Sequence, residues 1–365
     1  MKKVLALLLT AVMGTMLLAG CGGSSAGAGS GGDTKEEAAA PAQETAAEPE
    51  VTFKLGWAET AEREGHPLSQ AAYTFAEQVE QLSGGTMKVE LYPAAQLGDA
   101  SSMLTQVEAG TLESCMSISN GQFATSYYKD LGFLDIPFLF DSAQEAYDLL
   151  DPEGDFFKEL QADIATKTGI RPLVFFNEGL RHITNSKREI KTPEDLKGLK
   201  IRTMNVAAHM KMFEDLGAQP TNISWNELYT ALQTGLVDAQ ENPVINAVYI
   251  SAWEVQKYMT LDGHVCLCGL FCMNDGFYNS LTDEQKAVVD QAAREALKAE
   301  YKMFSDNEAK ALETLKENGL QITELTPEEK QAFVDACQAD IIEYLKSEMD
   351  TPELIDRVLK ELGKN

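Results

Sequence analysis

The residue types best suited to chemistry gather in one short stretch. Between residues 181 and 202 the chain sets Arg181, Lys187, Arg188, Lys191, Lys197, Lys200 and Arg202 against Glu189, Glu194 and Asp195, although the whole chain carries a formal charge of −27. A charge run of this kind is ordinarily a solvated helix face. Arg202 differs, because it follows Leu199 and Ile201 at the end of an apolar, strand-like segment. A cation buried there needs an anion to offset its desolvation. Either a protein carboxylate or a ligand carboxylate can serve.

Other chemistry finds no anchor. The chain has no P-loop, His-Glu-x-x-His, Gly-x-Ser-x-Gly or calcium loop, so no catalytic residue, metal site or cofactor is assigned. His66, His182, His209 and His264 are too scattered for a local metal spacing. Gly27, Gly29 and Gly32 match a dinucleotide pattern in letters only, since no strand precedes them and no apolar helix follows. Cys266, Cys268 and Cys272 lie in an apolar run whose period-two alternation puts the three sulfurs on one strand face. They read as small hydrophobes, because the second cysteine or histidine pair that zinc needs is absent.

The elements that must hold Arg202 follow from periodicity. Val51 to Trp57 alternates like a strand, the stretch after Pro67 is helical through Ala72, Phe75, Ala76 and Val79, and Thr86 to Tyr92 is a second strand. That order implies a mainly parallel sheet with ligands beyond its strand ends. Pro172 to Phe176 and Leu199 to Thr203 read as further strands, and Thr192-Pro193-Glu194-Asp195 as a helix start. Thr282 to Gln285 is a capping box opening a run without Gly or Pro as far as Asn318, long enough to reach across two lobes. Thr326-Pro327-Glu328-Glu329 caps a last amphipathic segment. About 315 residues from Val51 onward suit two lobes of α/β architecture.

The start of the chain sets a compartment. Lys2 and Lys3 precede an apolar run from Val4 to Leu18, interrupted by Thr10, Gly14 and Thr15, and then Ala19-Gly20-Cys21. That is the pattern of a signal peptide over 1–20. Residues 22 to 50 hold no aromatic or large aliphatic side chain and read as a tether. The acidic balance argues against nucleic acid as a partner. With Cys21 modified, the five remaining cysteines cannot all pair among themselves.

Two features resemble known families. Leu18-Ala19-Gly20-Cys21 resembles a bacterial lipoprotein box, which implies cleavage before Cys21 and lipidation of its thiol. The segments LKGLKIRTMN (196–205) and LGAQPTNISWNELYTALQTGLVDAQENP (216–243), with LYPAAQLGD (91–99) and LRHITNSK (180–187), resemble the TRAP-transporter solute-binding proteins of the DctP type. The resemblance runs from about Val51 to the last helix. It implies a two-lobed, type II-like periplasmic-binding-protein fold: mixed sheets flanked by helices and a long lobe-spanning helix. Lobe I would comprise 51–176 plus 268–306, and lobe II 177–267 plus 307–365. The implied protein is a non-enzymatic receptor outside the cytoplasmic membrane, lipid-anchored or periplasmic, which delivers a small carboxylate to the small and large membrane subunits of a secondary transporter.

The same resemblance suggests roles for particular residues. Arg202 takes the position that grips the substrate carboxylate, Asn242 the hydrogen-bonding asparagine of Gln240-Glu241-Asn242-Pro243, and Arg181 a second arginine that orients the anion or tunes the cleft. Trp225 stands at an aromatic position that forms a pocket wall or packs in the core. Asp99 is a substrate or hinge contact or simply a helix N-cap. Ser117 to Asn120, with Ser119 and Asn120 foremost, lie where the first lobe could add polar contacts, although relatives carry an acid there. Thr203-Met204-Asn205 after the arginine departs from the family's usual Val-Pro or acid. C4-dicarboxylates and sugar acids lead among the implied ligands. The competing readings are the receptor of an ATP-driven importer or of a chemosensory system, and a lipid-anchored hydrolase.

Overall fold

The computed structural model describes residues 49–364. The expected leader, the lipidation site at Cys21 and all but the last two residues of the expected tether lie outside the described residues. Among the described residues nine strands form one mixed sheet: β1 (Val51–Gly56), β2 (Met87–Tyr92), β3 (Ser114–Ser119), β4 (Ile170–Asn185), β5 (Lys200–Thr203), β6 (Gln219–Asn222), β7 (Ala239–Pro243), β8 (Tyr258–Asn274) and β9 (Gln321–Glu324). Their order is β2-β1-β3-β8-β4-β7-β5-β6, with β9 on β8.

The outer pairings are parallel, as the strand–helix–strand opening predicts: β1 with β2 and β3, and β5 with β6 and β7. The helix Pro67–Leu82 joins β1 to β2 and buries Ala72, Phe75 and Val79, which recur on one face. The centre corrects the expectation of a mainly parallel sheet. β4 and β8 are 16 and 17 residues long and antiparallel to each other over most of their length. One end of this pair carries β3, and the other carries β7 and β9. Two strand groups therefore share one long antiparallel pair.

The ladder between β4 and β8 is broken where Asn177 pairs with Cys268 and Gly179 with Leu267. Gly179 has φ +97°, and a Cβ on it would lie 2.4 Å from Cζ of Phe304. Only glycine admits both that conformation and that approach.

Phe304 belongs to the helix Asp283–Glu317, opened by the expected capping box of Thr282 and Gln285. Its 35 residues extend about 50 Å. Val289, Ala293, Ala296 and Leu297 pack into the cluster of Phe53, Phe75 and Phe271, whereas Phe304, Ala311 and Leu315 pack into another with Val244 and Met259. Helix Pro327–Glu348 likewise begins with a capping box, from Thr326 and Glu329. Thr192 opens a single 3-10 turn, Pro193–Leu196, instead of a helix, and Gly198 at φ +76° then turns the chain into β5.

The sulfurs follow the alternation of β8: Cys266, Cys268 and Cys272 share a cluster with Leu270, while Phe271 and Met273 join the opposite one. Cys115 pairs with Cys272 across β3 and β8, sulfurs 3.6 Å apart. All five described cysteines are free and buried.

Candidate functional site

A cavity of about 770 Å³ opens where the parallel strands end. Ala58 and Glu59 follow β1, Ser119 ends β3, Arg202 and then Met204 and Asn205 close β5, Asn222 and Ile223 close β6, and Asn242 lies near the end of β7. Strand ends in such sheets leave polar side chains and backbone groups directed into a crevice. The volume falls within the range of small-molecule sites.

Arg202 is 2% exposed. Its Nε donates to the carbonyl of Ile223 at 2.8 Å, and its Nη1 has no hydrogen-bond partner among the described residues. Burial pulls the guanidinium from 12.5 down to about 10; attraction by Glu241 and repulsion by Arg181 act in opposite senses. No ion pair within 4 Å involves Arg202 among the described residues, so the cation faces the cavity uncompensated at close range.

Arg181 also leaves its Nη1 without a partner among the described residues, but it has an acid beside it. It is wholly buried on β4 and holds the Glu241 carboxylate with Nε and with Nη2, the latter at 2.9 Å, while Nη2 also donates to the Glu241 carbonyl at 2.6 Å. The register of β4 on β7 sets Arg181 beside Pro243 and His182 beside Asn242, which brings Glu241 within reach. Glu241 also meets Nε2 of His264 at 3.1 Å, and Nδ1 of His264 meets Asp262 at 2.8 Å. Burial opposes the charged forms of all three. For His264 the adjoining carboxylates prevail and raise the imidazole to about 9. For Glu241 the Arg181 charge prevails and keeps the carboxyl well below its ordinary range.

The other expected residues are placed as follows. Asn242 is 3% exposed, lies on the cavity wall and donates to Oε1 of Gln240 at 2.6 Å. Trp225 is 38% exposed in the turn Trp225–Glu227 and borders the cavity, so it is not a core residue. Asp99 both borders the cavity and caps helix Ala100–Glu108, accepting from the Ser102 amide at 2.8 Å. Ser119 borders it while capping helix Asn120–Ser126. Asn120 does not reach the wall: its amide donates to Asp135 at 2.9 Å and its oxygen accepts from the Cys268 amide at 3.2 Å, tying that helix to β8.

Sequence reasoning passed over Glu59, Gln122, Glu178, Asn205, Asn222 and Asn246, all on the wall. Glu178 carried a usable signal, an acid two residues after the apolar stretch Leu173 to Phe176. Among the described residues, no group of His, Cys, Asp or Glu could hold a metal ion, and no helix is long and apolar enough to cross a membrane.

A cavity at the ends of two strand groups, polar around an unneutralised buried cation, defines a site built to hold a small anion. The chain belongs to the bacterial extracellular solute-binding proteins of family 7, the DctP family, whose model matches residues 58–347. Among its relatives, the 2,3-diketo-L-gulonate-binding periplasmic protein of Escherichia coli is 35% identical over 267 residues, covering 73% of this chain and 79% of that protein. Two solved TRAP periplasmic solute-binding proteins share the fold. The one from Roseobacter denitrificans, with bound β-D-glucuronate, is 27% identical with a TM-score of 0.77, covering 84% of this chain and 98% of that one. The one from Sulfurospirillum deleyianum, with bound succinate, is 29% identical with a TM-score of 0.75, covering 85% and 98%.

Proposed function

We propose that this protein is the receptor of a TRAP-type secondary transporter, capturing a small organic acid outside the cytoplasmic membrane by pairing its carboxylate with Arg202. The observation that carries the reading is the state of that guanidinium: buried, and among the described residues without an acid partner and with Nη1 unpartnered at the cavity. A ligand carboxylate supplies both the missing charge and the missing acceptor. Asn242 adds a hydrogen bond, Arg181 tunes the cleft by engaging Glu241, and Trp225, Asp99 and Ser119 form wall. The solutes bound by the relatives, a diketogulonate, a glucuronate and a succinate, are all small organic acids.

Ligand capture closes two lobes, 51–176 plus 268–306 and 177–267 plus 307–365, because contacts from both walls exist in only one conformation. The broken register between Asn177 and Gly179 supports a division at that point, since a bulge is where a long strand pair bends. The closed receptor then docks on the small and large membrane subunits, tethered through lipid on Cys21. Replacing Arg202 by Ala should cost about 2–5 kcal/mol of carboxylate binding. Calorimetry with the variant and a panel of organic acids tests this, and an unchanged affinity overturns the assignment.

A further inference from the structure

The acids of the cavity tell more about its ligand than the arginines do. Among the described residues only Arg181 and Arg202 bring positive charge to the wall, and Arg181 is already paired with Glu241. A ligand with one carboxylate neutralises Arg202. A second carboxylate would find no second unpaired cation among the described residues of the wall, and would instead meet Glu59, Asp99, Glu178 or Glu227.

Glu178 is the most constrained of these. It stands on β4 between Asn177 and Gly179, where the ladder to β8 is broken, and its Oε1 lies 2.9 Å from the place a Cβ on Gly269 would take. Glycine at 269 on the opposing strand thus leaves room for the carboxylate. Asn246 favours its charged form, and both residues border the cavity.

We propose that Glu178, seated on Gly269 and sharing the wall with Asn246, sets the specificity of the site: it bonds ligand hydroxyls and turns away a second carboxylate, so the protein takes hydroxylated monocarboxylates over dicarboxylates. This rests on Arg202 holding one carboxylate. Burial and the neighbouring Glu59 raise the Glu178 carboxyl to about 7, against Arg181 and Asn246, which favour its charged form. Both forms serve a polyol, since the ionised one accepts from a hydroxyl and the protonated one also donates. Beside the ionised form, a second ligand carboxylate is repelled in a low-dielectric setting. Asn205 and Asn222 add amides of the kind that match hydroxyls.

Calorimetry on the wild-type, Glu178→Gln and Arg202→Ala proteins at pH 8 tests this with D-gluconate, D-glucuronate, D-galacturonate and D-erythronate against succinate, fumarate and hexanoate. The best hydroxylated acid should bind at least tenfold more tightly than each of the three others, and Glu178→Gln should shrink its lead over succinate about tenfold. Equal or tighter binding of succinate or fumarate that Arg202→Ala abolishes overturns the inference and leaves the receptor reading standing. So does a preference that Glu178→Gln does not change. Failure of every hydroxylated acid overturns it as well, and binding indifferent to Arg202→Ala removes the reading beneath it.

Discussion

Replacing Arg202 by Met should make the empty protein more stable while it abolishes ligand binding. In the folded chain the guanidinium is 2% exposed and its pKa falls from 12.5 to about 10, with burial the main cause. That gap corresponds to a destabilisation on the order of 3 kcal/mol of the charged side chain in the folded state. Methionine fills a similar volume without charge, but it leaves the Ile223 carbonyl without the Nε donor now 2.8 Å away, a loss of about 1 kcal/mol. The net is about 2 kcal/mol, or a rise in Tm of about 4 °C. A ligand at a hundred times its Kd raises wild-type stability by about 2.7 kcal/mol and should leave the variant unmoved. Differential scanning calorimetry with and without the bound acid should therefore reverse the order of the two melting curves. An unliganded variant that melts at or below wild type would mean that the cation is already neutralised within the fold, and the argument for a ligand carboxylate would fail.

Other perturbations separate the supporting parts. Arg181→Met strands Glu241 in the interior and should cost about 3–5 kcal/mol in urea unfolding; a cost under 1 kcal/mol would deny that the pair is desolvated. Gly179→Ala forces a side chain into φ +97° and against Phe304, and should lose roughly 2–4 kcal/mol, whereas Gly169→Ala, with open space around it, should lose only its backbone strain. His264 titrates near 6.5 when unfolded and at about 9 when folded. Its contribution, on the order of 3 kcal/mol, is thus complete below pH 6.5 and disappears as pH rises through 9. Urea midpoints between pH 6 and 10 should show that loss in wild type and not in His264→Asn, and parallel profiles would refute it.

What periodicity and residue type could show was uneven, for physical reasons. The helix Asp283–Glu317 was legible because a capping box opens it and nothing within it breaks the backbone. Arg202 was legible because a guanidinium at the end of an apolar strand is costly unless something answers it. Glu178 presented a similar anomaly on β4, but Gly179 just beyond it reads as the end of a strand. In the fold β4 continues through that glycine, and its pairing with β8 shifts register there. The pairing of Arg181 with Glu241 joins residues 60 apart in the chain and depends on the register of β4 on β7, which no local pattern specifies. Asn120 looked like a site residue from its neighbours in the chain, yet the helix it begins turns its amide toward Asp135.

The division of labour between the two arginines rests on that long-range pairing. Arg181, Glu241, His264 and Asp262 form a buried chain of two cations and two anions, in which Glu241 is engaged by Arg181 on one side and by His264 on the other. Glu241 still attracts Arg202 from a distance, but forms no ion pair with it. Were Glu241 drawn to Arg202 instead, a ligand carboxylate would have to displace an internal one, and the gain on binding would shrink toward zero. Arg181 and His264 hold Glu241 in place, so the neutral chain behind the wall is what leaves Arg202 to be answered from the cavity.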